Sequence, residues 1–286
     1  MGLGDDASEL EAFVNKIKAS RKYRDICEDT IRDVIEKTLP KYRRTKEAIK
    51  AARAKLHRIQ AAYLGSVPSR DELDALGRAY LQGDMEGVKA ICLELMHGHA
   101  STRERLPILD RFYKEIFAVT GVPKRILDVA CGVHPLSIPW MDLPGDVVYW
   151  AYEIDDRLVN YLNMYFDAIG FERSQAQLQD VIRTPPAEAG DIAFVMKMVP
   201  CLERREKGAS IRLLKNLKVR YLVVSFPIKS LSGRSKHMPS FYSQAFSDMV
   251  DGYGWDVVKL PIREELVFVV GKNRESGTAL DELTKP

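Results

Sequence analysis

The chain has no run of about 18 apolar residues, so no membrane-spanning helix is expected. The opening stretch, Met1 to Phe13, has no basic segment followed by an apolar one, and no secretory signal is predicted. Cysteine is scarce. Cys27, Cys92, Cys131 and Cys201 lie far apart with no CxxC pair. That argues against a zinc site or a disulfide framework and fits a reducing cytoplasm. The GxGxxG dinucleotide fingerprint and the P-loop are also missing. What is present is a chain of 286 residues, 46% hydrophobic and 29% charged. This composition excludes a disordered or collagen-like chain and allows one or two domains.

Charge is unevenly placed. The formal net charge is +3, yet Lys16 to Arg58 carries 15 Lys/Arg against 6 Asp/Glu. Such an excess on a short helical stretch can hold phosphates, because each neutralised phosphate releases a counterion. It can equally be a solvated helix face. Tyr23, Tyr42, His57 and Tyr63 are interleaved with the cations and either stack on bases or fill a small helical core.

Residues 1 to 98 read as helical. Ile31, Val34, Ile35 and Leu39 recur at helical spacing before Pro40, and Ile49, Ala52, Leu56, Ile59 and Tyr63 do so after it. Helices over Asp71–Leu81 and Val88–Met96 follow. From 99 to 286 the pattern changes. A helix is predicted over Thr102–Val119. Short apolar runs then begin at Arg125, Val147, Asp191 and Tyr221, the short segment Gln175–Asp180 is a candidate third strand, and helices are predicted over Asp156–Gly170 and Glu203–Leu217. Trp255–Leu260 and Glu265–Val270 read as a closing antiparallel pair. Strands alternating with helices imply an α/β fold with a parallel sheet covered on both faces. Ligands in such sheets sit outside the strand C-terminal ends.

Three strand ends carry acids. The first ends in Asp128 and leads through Ala130 and Cys131 to a single Gly132, which suits close backbone approach but not a pyrophosphate cradle. The second ends in Glu153, followed by Ile154 and Asp155; a carboxylate there can accept both hydroxyls of a ribose. The third runs into Gln179, Asp180 and Val181, placed to read an adenine amine. The alternative is that Asp128 and Asp180 only cap turns. The ordered set resembles the class I S-adenosylmethionine-dependent methyltransferases, with their Rossmann-like seven-stranded sheet. A methionyl carboxylate needs a cation. The stretch His99, Ala100, Ser101, Thr102, Arg103, Glu104, Arg105 supplies arginines for a bidentate pair and a helix start near Ser101 or Thr102 for backbone amides. The same stretch also reads as a capped helix with solvent-facing arginines.

Four segments narrow the resemblance: HASTRERL at 99–106, LDVACG at 127–132 with Pro135, LQDV at 178–181, and SFPIKSLSGRSKHM at 225–238. In this order they are similar to the aminoglycoside-resistance 16S ribosomal RNA (guanine(1405)-N7)-methyltransferases, over about Lys18 to Lys272. The resemblance implies a helical N-terminal domain (1–98) that docks on the assembled 30S subunit near helix 44 of 16S rRNA. The second implied domain (99–286) uses S-adenosyl-L-methionine. It further implies a monomer, Arg105 on the cofactor carboxylate, and Asp128, Gly132, Glu153 and Asp180 around the rest of the cofactor. Lys22, Arg53, His57, Arg204, Lys229 and Lys236 would face RNA. Met238, Arg234 and Lys197 would position the target guanine, with no general base. The sequence departs from the family at Glu153, where Asp is expected, and at His237, where Gly is expected.

Two motifs are discounted. Pro200-Cys201 follows the fourth strand, where cytosine-C5 methyltransferases place a nucleophile, but Cys201 is read here as a packing residue. Thr184-Pro-Pro-Ala lacks the acidic or amide residue that grips an exocyclic amine and is expected to be a loop. Rival functions are methylation of another rRNA base, adenine N1, methylation of a small molecule, and a 30S-binding module without catalysis.

Overall fold

The computed structural model describes residues 3–61, 68–228 and 238–272. Seven strands form one sheet: β1 (Arg125–Val129), β2 (Val148–Glu153), β3 (Gln175–Leu178), β4 (Ala189–Met196), β5 (Lys218–Phe226), β6 (Asp256–Lys259) and β7 (Leu266–Gly271). Their order is β3-β2-β1-β4-β5-β7-β6, parallel through β5 and closed by antiparallel β7 and β6. The chain reverses direction across the sheet between β1 and β4, which opens a crevice at their C-terminal ends.

Strands β1, β4, β5 and β7 are largely buried on both faces, and their alternation sorts the two cores. Ile126, Tyr149, Ile192, Phe194 and Val223 point to one side. Leu127, Val129, Tyr152, Ala193, Val195 and Val224 point to the other. A period of two does this wherever helices cover both faces. The first side is covered by α4 (Arg70–Leu81), α5 (Met85–His97), α7 (Leu109–Thr120) and α8 (Asp156–Ala168). The second is covered by α9 (Val199–Arg205), α10 (Ala209–Asn216) and α11 (Met238–Val250).

A third core lies in the N-terminal segment. It joins α1 (Leu3–Lys18), α2 (Glu28–Glu36) and α3 (Thr45–Ala61) through Val14, Ile17, Tyr23, Ile31, Val34 and Leu56. Tyr23 is thus a core residue, whereas Tyr42 is exposed; Tyr63 lies outside the described residues. Helices α4 and α5 pack with the sheet through Leu73, Leu76, Val88, Cys92 and Met96. The division expected at residue 98 therefore falls inside one continuous hydrophobic core, and the separate helical core ends with α3.

Two predicted helices are each divided. Pro107 has no amide hydrogen to continue the ladder, so 102–119 becomes a short α6 (Ala100–Arg103), a 3-10 turn at Leu106–Ile108, and α7. Gly208, at φ +78°, separates α9 from α10. Helix α4 starts on a capping box: Glu72 N–H donates to Ser69 Oγ, and Ser69 N–H donates to Glu72 Oε2 at 2.6 Å. Among the described residues no helix is long and apolar enough to cross a membrane.

Candidate active site

A cavity of about 760 Å³ opens at the C-terminal ends of β1 to β4. Every residue expected at the cofactor lines it except Asp128. After β1 the backbone turns through the left-handed region at Ala130 (φ +52°) and Gly132 (φ +53°). A Cβ on Gly132 would meet no atom within 4 Å, so the turn leaves free space beside the glycine. Gly132 N–H donates to Glu153 Oε2 at 3.0 Å, and the Glu153 Oε1 accepts from Ile154 N–H at 2.7 Å. Burial pushes the Glu153 carboxyl above its ordinary range, against these backbone donors. The longer side chain, standing where aspartate was expected, reaches back to the β1 turn.

Asp180 is fully engaged. Its Oδ1 accepts from Ile182 N–H at 3.0 Å. Its Oδ2 accepts from Thr30 Oγ1 at 2.7 Å and Arg205 Nη2 at 2.5 Å. Arg205 Nη2 also donates to Asp33 Oδ2 at 2.8 Å. Gln179 Nε2 donates to the Thr184 carbonyl at 2.7 Å, so the Thr184-Pro-Pro-Ala segment is a loop fastened to the end of β3. Cys27 N–H donates to the Ile154 carbonyl at 2.7 Å, and Asp156 N–H donates to the Asp25 carbonyl at 2.8 Å. The N-terminal helices are therefore bonded to the strand ends that form the cavity.

Asp128 lies behind the wall. It is fully buried, and its Oδ2 is 2.9 Å from His134 Nδ1 and 2.7 Å from Tyr149 Oη. Its Oδ1 has no partner. His134 and Tyr149 enclose its side chain, and His134 rather than Asp128 lines the cavity.

Arg105 and Lys197 meet on one carboxylate. Arg105 donates from Nε (3.2 Å) and Nη2 (2.7 Å) to Glu265, and its guanidinium lies over the Phe112 ring. Lys197 Nζ is 2.8 Å from Glu104 and 3.4 Å from Glu265. Lys197 is buried and takes φ +56° at the end of β4, and the residue does not line the cavity. Burial pushes Glu265 up, but Arg105 and Lys197 outweigh it and hold the carboxyl below its ordinary range. Arg105 does line the cavity, yet much of its guanidinium is already bound. The sequence offered little sign of Glu265, a lone acid ahead of an apolar strand.

His99 also lines the cavity. Burial pushes its imidazole below the usual range, and its buried Nε2 has no partner. Thr102 Oγ1 donates to the Met96 carbonyl at 2.6 Å and so closes the end of α5, while Ser101 is half-buried at the cavity. An unpartnered ring nitrogen and free space beside Gly132 fit a polar nucleoside-bearing ligand.

Of the residues expected to face RNA, Lys22 and His57 are exposed, and Lys22 Nζ lies over the Tyr23 ring. Arg53 is half-buried, with Nη2 3.4 Å from the Lys16 carbonyl and Nε unpartnered. Arg204 is exposed at the cavity and donates to the Pro200 carbonyl at 3.0 Å. Half-buried Met238 opens α11. Lys229, Arg234, Lys236 and His237 lie outside the described residues. Cys201 is half-buried at the cavity edge, 3.1 Å from Arg204 Nη2.

A parallel sheet closed by an antiparallel strand pair, a glycine turn after β1 and an acid at the end of β2 define a class I S-adenosylmethionine-dependent methyltransferase fold. The chain belongs to the ribosomal RNA methyltransferase (FmrO) family, whose profile matches residues 19–269. A protein of Frankia casuarinae named 16S rRNA (guanine(1405)-N(7))-methyltransferase is 34% identical over 94% of this chain and 95% of its own length. One of the same name from Serratia marcescens is 35% identical over 91% of this chain and 97% of its own. The solved structure of the 16S rRNA methylase RmtB superposes with a TM-score of 0.74 at 31% identity, covering 92% of this chain and 98% of that one. The 16S rRNA methyltransferase RmtF, solved in complex with S-adenosyl-L-homocysteine, gives the same figures.

Proposed function

We propose that this chain transfers a methyl group from S-adenosyl-L-methionine to N7 of guanine 1405 of 16S rRNA in the assembled 30S subunit. One observation carries the reading. Relatives named for that reaction align over more than nine-tenths of the chain, and the family match spans every residue of the cavity. The adenine-N1 and small-molecule alternatives lack such support. The site of action is the cytoplasm, where 30S subunits are.

The cofactor supplies a methyl group made electrophilic by a positive sulfur. Glu153 is placed for ribose hydroxyls, Ile154, Gln179 and Val181 for the adenine, and His99, Ser101 and Arg105 for the methionyl end. Guanine N7 has a free lone pair in its neutral form, so no proton leaves it as the bond forms and no general base is needed. The protein's task is positioning and electrostatics. The target base must leave its stack to reach the cavity. Met238, at the start of α11, covers its face, while Arg234, Lys236 and Lys229 hold the displaced backbone. Lys22, Arg53 and His57 dock the helical unit on the subunit. The product carries an extra methyl and a fixed positive charge, which oppose binding of a polycationic drug. Resistance to 4,6-disubstituted 2-deoxystreptamine aminoglycosides follows.

The test is to incubate purified 30S subunits with the protein and labelled S-adenosylmethionine, then map N7-methylguanine by borohydride reduction and aniline scission. Scission at guanine 1405 alone is expected. Label on an adenine, on a free small molecule, or nowhere would overturn the proposal.

A further inference from the structure

The cavity continues past the strand ends to an outer wall made by α2, α3 and α9. Apart from Arg204, which is bonded within α9, the cations on that wall fall into two groups. Lys37 and Arg205 are compensated. Lys37 Nζ lies 2.7 Å from Asp33 and 2.5 Å from Glu206, and Arg205 bridges Asp33 and Asp180. Lys41, Lys55 and Arg58 line the same cavity, but among the described residues none has a carboxylate within ion-pair distance.

Lys55 and Arg58 are three apart on α3 and share a face. Lys55 is held in place: its Nζ donates to Thr38 Oγ1 at 2.9 Å, and that hydroxyl donates to the Val34 carbonyl at 2.5 Å. Arg58 Nε donates to the Ala54 carbonyl at 3.3 Å. Burial pushes the Lys55 ammonium below its usual range, and the like charges of Lys41 and Arg58 push it further. Asp33 offsets only part of this at Lys55. Three cations without an ion-pair partner converging on a cavity repel one another, and an anion relieves that repulsion. The cofactor is a poor candidate for it. Its carboxylate is balanced by its own ammonium, and its sulfonium leaves it a net cation.

We propose that Lys41, Lys55 and Arg58 form a phosphate subsite that takes the RNA backbone beside the target guanosine. The proposal rests on the methyl-transfer reading above. It makes the helical unit a wall of the active site as well as a docking surface.

The experiment compares Lys55→Gln, Arg58→Gln, Lys55→Arg and Lys46→Gln with wild type. Lys46 is exposed on α3 and outside the cavity. Two quantities are read: the single-turnover methylation rate at saturating 30S, and affinity for S-adenosylhomocysteine by calorimetry. Lys55→Gln and Arg58→Gln are expected to slow the saturated rate roughly ten-fold or more, as misplacing a reacting group does. Their S-adenosylhomocysteine affinity stays within about two-fold, as it does for a contact made only to RNA. Lys55→Arg keeps the rate, and Lys46→Gln changes only the 30S concentration needed. Unchanged saturated rates in the first two variants would overturn the subsite. A parallel fall in S-adenosylhomocysteine affinity would assign these cations to the cofactor and also overturn it. A wild-type protein that leaves 30S unmethylated would sink the methyl-transfer reading and the subsite with it, whereas an active wild type with unaffected variants sinks the subsite alone.

Discussion

Thr30 of α2 donates its hydroxyl to Asp180, beyond β3, at 2.7 Å, with both side chains out of contact with solvent. The bond joins the N-terminal helical core to the cofactor crevice, two units with separate hydrophobic clusters. A hydrogen bond to a buried charge contributes about 1.5–3 kcal/mol. Thr30→Val keeps the shape and removes the donor. It is expected to lower stability by that amount in denaturant titration and to increase hydrogen exchange in α2 first. Unchanged stability and exchange would show that the other bonds across the junction, among them Arg205 to Asp33 and Cys27 N–H to the Ile154 carbonyl, hold the two units without it.

The same junction predicts an acid response. Burial pushes the Asp33 carboxyl up, but Lys37 and Arg205 outweigh burial and hold it below its ordinary range. A carboxyl depressed in the folded state contributes stability that is complete above its unfolded pKa, about 4. That contribution is lost as pH falls through the lower folded value. Wild-type stability should therefore fall steeply below about pH 4. Asp33→Asn should be less stable at pH 7 and show a shallower decline below about pH 4. Parallel stability curves for the two proteins would contradict the assignment.

Glu265 is a second junction. It is fully buried and binds both Arg105 and Lys197. Removing one partner of a buried ion pair leaves an uncompensated charge and costs about 3–5 kcal/mol. Glu265→Ala is expected to lose that much in chemical unfolding, while the Arg105→Met, Glu265→Leu double variant recovers part of it. If the single variant melts like wild type, the guanidinium has found another anion.

What the sequence disclosed follows the range over which the forces act. Most strands were readable because they are short apolar runs bounded by polar or glycine residues; β3 (Gln175–Leu178) is the exception, read from its place after a helix. The closing pair, 256–259 and 266–271, came from the same local pattern. The glycine turn and the acid after β2 were also local. Helix α11 was not read, since its surface is mixed and only Phe246 and Val250 are buried. The breaks at Pro107 and Gly208 were visible as residues but were outweighed by the helical periodicity on both sides. The ion-pair system was not readable at all. Arg205 reaches Asp33 across 172 positions, and Arg105 reaches Glu265 across 160. Nothing in spacing assigns such partners, so Glu265 was not expected beside Arg105 and Lys197, and Lys197, expected to position the target guanine, lies in a buried cluster.

Cys201 tests whether the edge of the cavity is chemical or merely structural. The thiol is half-buried and touches Arg204. N7 methylation forms no bond to the enzyme, so no thiolate attack is involved. Cys201→Ala should keep methylation of 30S subunits within about three-fold of wild type, since the loss is one weak thiol contact with Arg204. Loss of all activity, with S-adenosylhomocysteine binding intact, would bring back a covalent pyrimidine mechanism.

Gly132 combines two constraints that substitution can separate. Its φ of +53° is costly for any residue with a Cβ, about 1–2 kcal/mol. Its missing Cβ also leaves free space beside the cavity-lining turn, with no atom within 4 Å of where it would stand. Ala130, two residues earlier, already carries a Cβ at φ +52°, so this turn tolerates the strain. Gly132→Ala should therefore still fold, at a loss of about 1–2 kcal/mol. Its methyl group would stand where the cofactor approaches the backbone, and S-adenosylhomocysteine affinity should fall roughly ten-fold or more, about 1.4 kcal/mol per ten-fold. Ala130→Gly is the opposite control: it relieves strain, opens no new contact, and should leave affinity near wild type. Calorimetry on the two variants decides the point. If Gly132→Ala binds as tightly as wild type, the glycine is there for the turn alone, and the cofactor lies elsewhere in the cavity.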